Sequence, residues 1–193
     1  MQSWHTRIGA AFLLVAVLWT GPVPAWAFDV DPQGQHASLN GGHFEHRIQK
    51  SLKAHGFEVL SHAEWRDMGQ PRGEYLLTNA PYTTLYGTAG RTEFLLLSAR
   101  RNMEIRIEAK YQSVSGSVDE KLPYVYLSLV EAVPEKTVFV VIDGPGWRPG
   151  SIDWLRRAAV ERRYGTPADK TVRVFSLEEF LGWAEALGQT AKN

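Results

Sequence analysis

Residues 92–111 hold two strand-like runs, Thr92–Leu97 and Met103–Tyr111, separated only by Ser98–Asn102. So short a connection brings the second strand back beside the first, antiparallel to it. A turn centred near residue 100 pairs residues whose numbers sum to about 200, which sets Glu93 opposite Ile107 or Glu108. Glu108 and Lys110, two residues apart on the second strand, point to the same face. Two carboxylates and an ammonium therefore meet at the open end of one hairpin, within cross-strand reach. A carboxylate able to hold a metal, beside an ammonium able to hold an anion, is what a metal-dependent phosphodiesterase needs at one place.

The flanking segments extend the hairpin into an α/β layout. A first helix is expected from the cap Asn40 to Gly56, with Phe44, Ile48 and Leu52 as its buried stripe and Glu45 beside it. Residues 57–60 read as a short strand and residues 61–73 as a loop. Residues 75–78 and 82–86 read as two further short strands. After Gln112 comes the small-residue loop 113–117, then a helix to about Glu131, its regular part starting near Leu122 because Pro123 suits a first turn. Thr137–Ile142 is uninterruptedly apolar, as in a strand buried on both faces, and the strand–helix–strand order implies a parallel pair. Ser151 is expected to cap a helix to about Arg163. Thr171–Phe175 reads as a last strand, and Ser176 with Glu179 forms a capping box for a final helix to Gly188.

The chain has 193 residues, 44% of them hydrophobic, enough for one sizeable core. Lys plus Arg and Asp plus Glu both number 21, so any polyanion site is a local patch rather than a global field. The absence of cysteine excludes disulfides, thiolate metal sites and cysteine nucleophiles. At the N-terminus, His5 and Arg7 precede an uncharged apolar run, and Ala25-Trp26-Ala27 fits a small-x-small cleavage site. The expected organisation is a signal peptide at 1–27, a disordered leader at 28–38, one domain at 39–188 and a disordered tail at 189–193. The protein is then exported, periplasmic or secreted; an uncleaved N-terminal anchor is the alternative.

The segment Gly90-Arg-Thr-Glu93-Phe-Leu-Leu, the triplet Glu108-Ala-Lys110, Gln112 and the run Val114-Ser-Gly-Ser-Val-Asp-Glu-Lys-Leu-Pro-Tyr124 together resemble the PD-(D/E)xK nuclease superfamily, in a branch of small bacterial nuclease-like proteins. The resemblance implies a restriction-endonuclease-like mixed β-sheet flanked by helices, with core order α-β-β-β-α-β. It implies metal-dependent hydrolysis of phosphodiester bonds, with DNA ranked first among nucleic acids and Mg²⁺, or alternatively Mn²⁺, as cofactor. Glu93, Glu108 and the Ala109 carbonyl would be metal ligands, Lys110 would act at the reacting phosphate or the attacking water, Gln112 would position Lys110 or substrate, and Glu45 would be the accessory acid. Glu93 stands where the family more often has Asp, and no Pro precedes it.

Blander readings stand beside these. Glu104, Arg106, Glu108 and Lys110 alternate in charge, as an exposed strand face does. His43 and His46 share a helix face but lack a third ligand, and are better read as solvated. Arg156, Arg157, Arg162 and Arg163 could track a phosphate backbone, although such runs are more often simply solvated. Asp143, at the end of the apolar strand, faces the site or caps a turn. Two other functions fit the same residues: a catalytically inactive member that binds nucleic acid or protein, and an exported envelope protein with no catalysis.

Overall fold

In the computed structural model, which describes residues 32–148 and 150–189, the hairpin forms as its spacing requires. Strand β3 (Ala89–Ser98) returns as β4 (Met103–Tyr111), with Phe94 opposite Ile107, Leu96 opposite Ile105 and Ser98 opposite Met103. Strand β2 (Glu74–Thr83) completes an antiparallel meander on the other side of β3. Strands β1 (Glu58–Ser61), β5 (Thr137–Asp143) and β6 (Thr171–Ser176) extend the sheet to six, in the spatial order β1-β2-β3-β4-β5-β6. β1 is parallel to β2, and β5 and β6 are parallel to β4.

Helices cover both faces of this mixed sheet. Helix α1 (Pro32–Ala54) lays Phe44, Ile48 and Leu52 against Phe94, Leu96, Ile105 and Ile107, where α5 (Leu177–Gln189) adds Phe180 and Ala184. On the opposite side α3 (Leu122–Glu131) and α4 (Ser151–Val160) bury Tyr126, Leu129, Leu155 and Ala158 against Val138, Val140 and Ile142. Alternate residues of β5 thus feed both cores, which accounts for its unbroken apolar run. None of the described helices is long and apolar enough to cross a membrane.

Several sequence expectations need correction. Helix α1 begins at Pro32 rather than after Asn40, so residues 32–38 of the expected leader are helical; proline's missing N–H costs nothing in a first turn. The signal-peptide segment 1–27 lies outside the described residues. The loop expected at 61–73 holds a short helix, α2 (His62–Asp67), started by a capping box in which Ser61 and Glu64 exchange backbone and side-chain hydrogen bonds. It was hidden because none of its residues is buried, so it has no apolar stripe to read. The two strands expected at 75–78 and 82–86 are one strand, β2. Pro81 lies past the end of β1, which pairs only with Tyr75–Thr78, so β2 is an edge there and tolerates proline. Helix α4 is capped by Gly150 rather than Ser151 and ends at Val160 rather than Arg163, because Arg162 and Tyr164 take left-handed backbone conformations.

Candidate active site

The β3–β4 ladder ends at Phe94–Ile107. One residue further, Glu93 Oε2 accepts the Ala109 N–H at 2.9 Å, so a carboxylate takes the place of a ladder partner as the strands part. The other oxygen of Glu93 accepts from Lys110 Nζ at 3.0 Å, and Lys110 also pairs with Glu108 Oε1 at 2.6 Å. The two carboxylates and the ammonium expected to meet at the open end of the hairpin do meet there, joined through Lys110.

The face that carries them is not a solvated one. Glu108 is only 12% exposed in its side chain, and Arg106, two residues before it, is buried. Burial, followed by the charge of Glu93, pushes the Glu108 carboxyl up to about 7, with Lys110 acting the other way. Burial alone would lower Lys110, but the charges of Glu108 and Glu93 and the hydrogen bonds to both outweigh it and hold Lys110 above its usual value. Lys110 is therefore an ammonium, and the site keeps surplus negative charge when both carboxylates are ionised.

Glu45 reaches the site from α1. Its carboxyl is raised by burial first and then by the charge of Glu93, and is lowered by Lys110. Together with Gln49, Asn79, Arg91, Thr92 and Glu93 it lines a cleft of about 490 Å³. Gln112 behaves differently. Its side-chain amide donates to the Val114 carbonyl, its backbone N–H bonds Asp143 O at 3.1 Å, and its carbonyl accepts from Gly146 N–H at 2.9 Å. Gln112 thus braces the loop after β4 and makes no hydrogen bond to Lys110 or either glutamate among the described residues. Asp143 caps a turn, its Oδ1 accepting the Gly144 N–H at 2.8 Å.

The remaining candidates separate cleanly. His43 and His46 are exposed on α1, and no group of three histidine or acidic side chains able to hold a metal occurs among the described residues. The arginine run is largely spoken for: Arg156 pairs with Glu179, Arg163 with Glu161, and Arg162 donates to the Lys170 and Pro167 carbonyls. Sequence reading missed Tyr82. Its phenol is pushed up by burial first, next by the charge of Glu108 and then by Tyr124 and Glu93, with Lys110 acting the other way, which puts it at the edge of the site. Its position on β2, opposite Gly90, was obscured by splitting β2 in two.

The donor set suits a hard divalent cation. Mg²⁺ takes oxygen ligands, is commonly held by one or two carboxylates and keeps several waters, so a three-acid cage is not required. Glu93, Glu108 and the Ala109 carbonyl supply oxygens of that kind, and a cation would offset the burial and the Glu93 charge that together raise Glu108.

A family model described as a PD-(D/E)XK nuclease superfamily domain matches residues 36–187. No curated protein matches the chain.

Proposed function

We propose that this chain, which belongs to the PD-(D/E)XK nuclease superfamily, is a Mg²⁺-dependent nuclease that hydrolyses phosphodiester bonds, of DNA before RNA, with Mn²⁺ able to substitute. The observation that carries the reading is the Glu93–Lys110–Glu108 constellation at the point where β3 and β4 part. When bound, the divalent ion supplies a lowered water pKa and neutralises charge that develops on phosphate oxygens. Glu93 and Glu108 would hold it, with the Ala109 carbonyl. Lys110, a fixed cation on a flexible stem, would exchange one carboxylate contact for a non-bridging phosphate oxygen or the attacking water. Glu45 would orient water from the α1 side. Gln112 supports the reading indirectly, by fixing the loop that follows the catalytic strand.

The test is the purified protein with plasmid, linear DNA and RNA, in Mg²⁺, Mn²⁺ or EDTA. Cleavage of DNA with either ion and none in EDTA is expected. Cleavage that persists in EDTA, or no cleavage with any ion, would overturn it. One observation favours a second reading, an inactive binder: Lys110 already pairs with both carboxylates and offsets part of their charge without a cation. That form would bind nucleic acid with no dependence on Mg²⁺.

The proposal includes export. The apolar run before Ala25-Trp26-Ala27 motivates a mature N-terminus at Phe28. Mass spectrometry of the envelope and culture medium should find that terminus; full-length chain confined to the cytosol would contradict it.

A further inference from the structure

Two exposed tyrosines lie against each other. Tyr86, in the turn between β2 and β3, stacks on Tyr124 at the start of α3 with ring centroids 5.8 Å apart and planes 17° from parallel. Tyr86 remains 77% exposed and Tyr124 39% exposed. A tyrosine whose one face rests on another ring and which is still mostly exposed has its second face open to solvent. Neither residue belongs to the hydrophobic clusters under the sheet, so burial does not explain the pair.

The pair adjoins the candidate active site. Tyr82, four residues before Tyr86, pairs with Gly90 on β3, three residues before Glu93, and it lies in the fields of both Tyr124 and Glu108. The turn itself is pinned by hydrogen bonds between Thr84 and Thr88, through both backbone and hydroxyl groups, so Tyr86 is presented on a defined support. Two exposed cations flank the region: Arg91, in the cleft with Glu93 and Glu45, and Lys121, one turn before Tyr124.

Resting on the nuclease reading above, we infer that the Tyr86–Tyr124 pair is a stacking platform for an unpaired nucleobase beside the scissile phosphate, so that this protein prefers single-stranded DNA over duplex. A base in a duplex has both faces occupied by its neighbours, whereas a base in a single strand can place one face on an open aromatic ring. The nearby phosphates would meet Arg91 and Lys121.

The test is fluorescence anisotropy of a labelled single strand and of its duplex, in EDTA, with the full chain and with Tyr86→Ala, Tyr86→Leu and Tyr86→Phe. Leu keeps an apolar contact on Tyr124 but offers no planar ring, which guards against a variant that merely loosens the turn. Tyr86→Ala and Tyr86→Leu should weaken single-strand binding about tenfold, the scale of one lost base–aromatic stack. Duplex binding should be unchanged, and Tyr86→Phe should behave as the parent. Equal weakening on both substrates, loss in the Phe variant, or no change on the single strand would each overturn the platform. Cleavage in Mg²⁺ is read separately. Tyr86-dependent single-strand binding without cleavage would leave the platform standing and remove the nuclease assignment.

Discussion

Lys110 is the residue on which the two functional readings divide. Nuclease action needs it at the reacting phosphate, and an interaction made mainly in the transition state lowers turnover more than binding. Lys110→Met keeps the stem and removes the charge. Turnover should fall by about 10² or more with substrate affinity altered much less, and single-turnover kinetics on saturating DNA would show it. Normal turnover in the variant would refute the role. Glu108 gives a second prediction. Its carboxyl ionises only near 7 because burial and Glu93 oppose the charge. A cation must displace that proton, so Mg²⁺ affinity should be level above about pH 7 and fall roughly tenfold per unit below it. Calorimetry on either side of that value would test the sign. A flat profile would mean that Glu108 is not a ligand.

At the scale of elements, the ties that join the strands beside the site are as important as the site residues themselves. Arg106 is buried on β4, donates to the Ala80 and Pro81 carbonyls of β2 and to Thr92 Oγ1 of β3, and pairs with the buried Glu135 at 2.8 Å. It ties three strands together just beneath Glu93 and Glu108. Glu135→Ala would leave that guanidinium buried and unpaired, at a cost of about 3–5 kcal/mol. Urea unfolding should show the loss; a change under about 1 kcal/mol would mean that water reaches Arg106. The loop after β5 is a second support. A Cβ on Gly144, whose φ is +108°, would lie 2.2 Å from the Gln112 carbonyl oxygen, and one on Gly146 would lie 2.6 Å from the Val114 backbone. Both glycines therefore let that loop close on the segment after Lys110. Gly146→Ala should lower stability and cleavage together, because the backbone carrying Gln112 must move. Unchanged activity at full stability would show that the loop packing is incidental.

For the whole molecule, the end of the sheet remote from the site is closed by Glu74. Its carboxylate accepts from Ser98 Oγ at 2.7 Å and from the Arg100 N–H at 3.0 Å, and pairs with Arg101, which in turn donates to the Leu187 carbonyl of α5. Burial alone would raise its pKa, but these hydrogen bonds and the charge of Arg100 hold it below the usual 4.5. A depressed carboxylate contributes stability that is fully present above the unfolded value and is lost as pH falls through the lower folded value. Stability should therefore decline as pH drops below about 4.5, with Glu74→Gln less stable at neutral pH and flatter across that range. Melting temperatures measured against pH would show both, and parallel curves would contradict the assignment.

Strand–helix–strand order was sufficient for the parallel pair β4–β5, and local spacing for the hairpin, the start of α3 at Leu122 and the capping box of Ser176 and Glu179, each of which depends on residues close in the chain. That spacing also brought Glu93, Glu108 and Lys110 to one place, because a short turn leaves little freedom in the pairing of its strands. Asn79 and Pro81 read locally as a break, and only the partnership with β3 carries β2 through them. Arg106 reads as one more charge on an alternating strand, and only the approach of Glu135 and the carbonyls of β2 makes it a buried tie. The ionisation of Glu108 and the stacking of Tyr86 on Tyr124 likewise required the tertiary structure. Desolvation and contacts between residues distant in the chain are set by what packs around a side chain, and that is not a property of its neighbours in sequence.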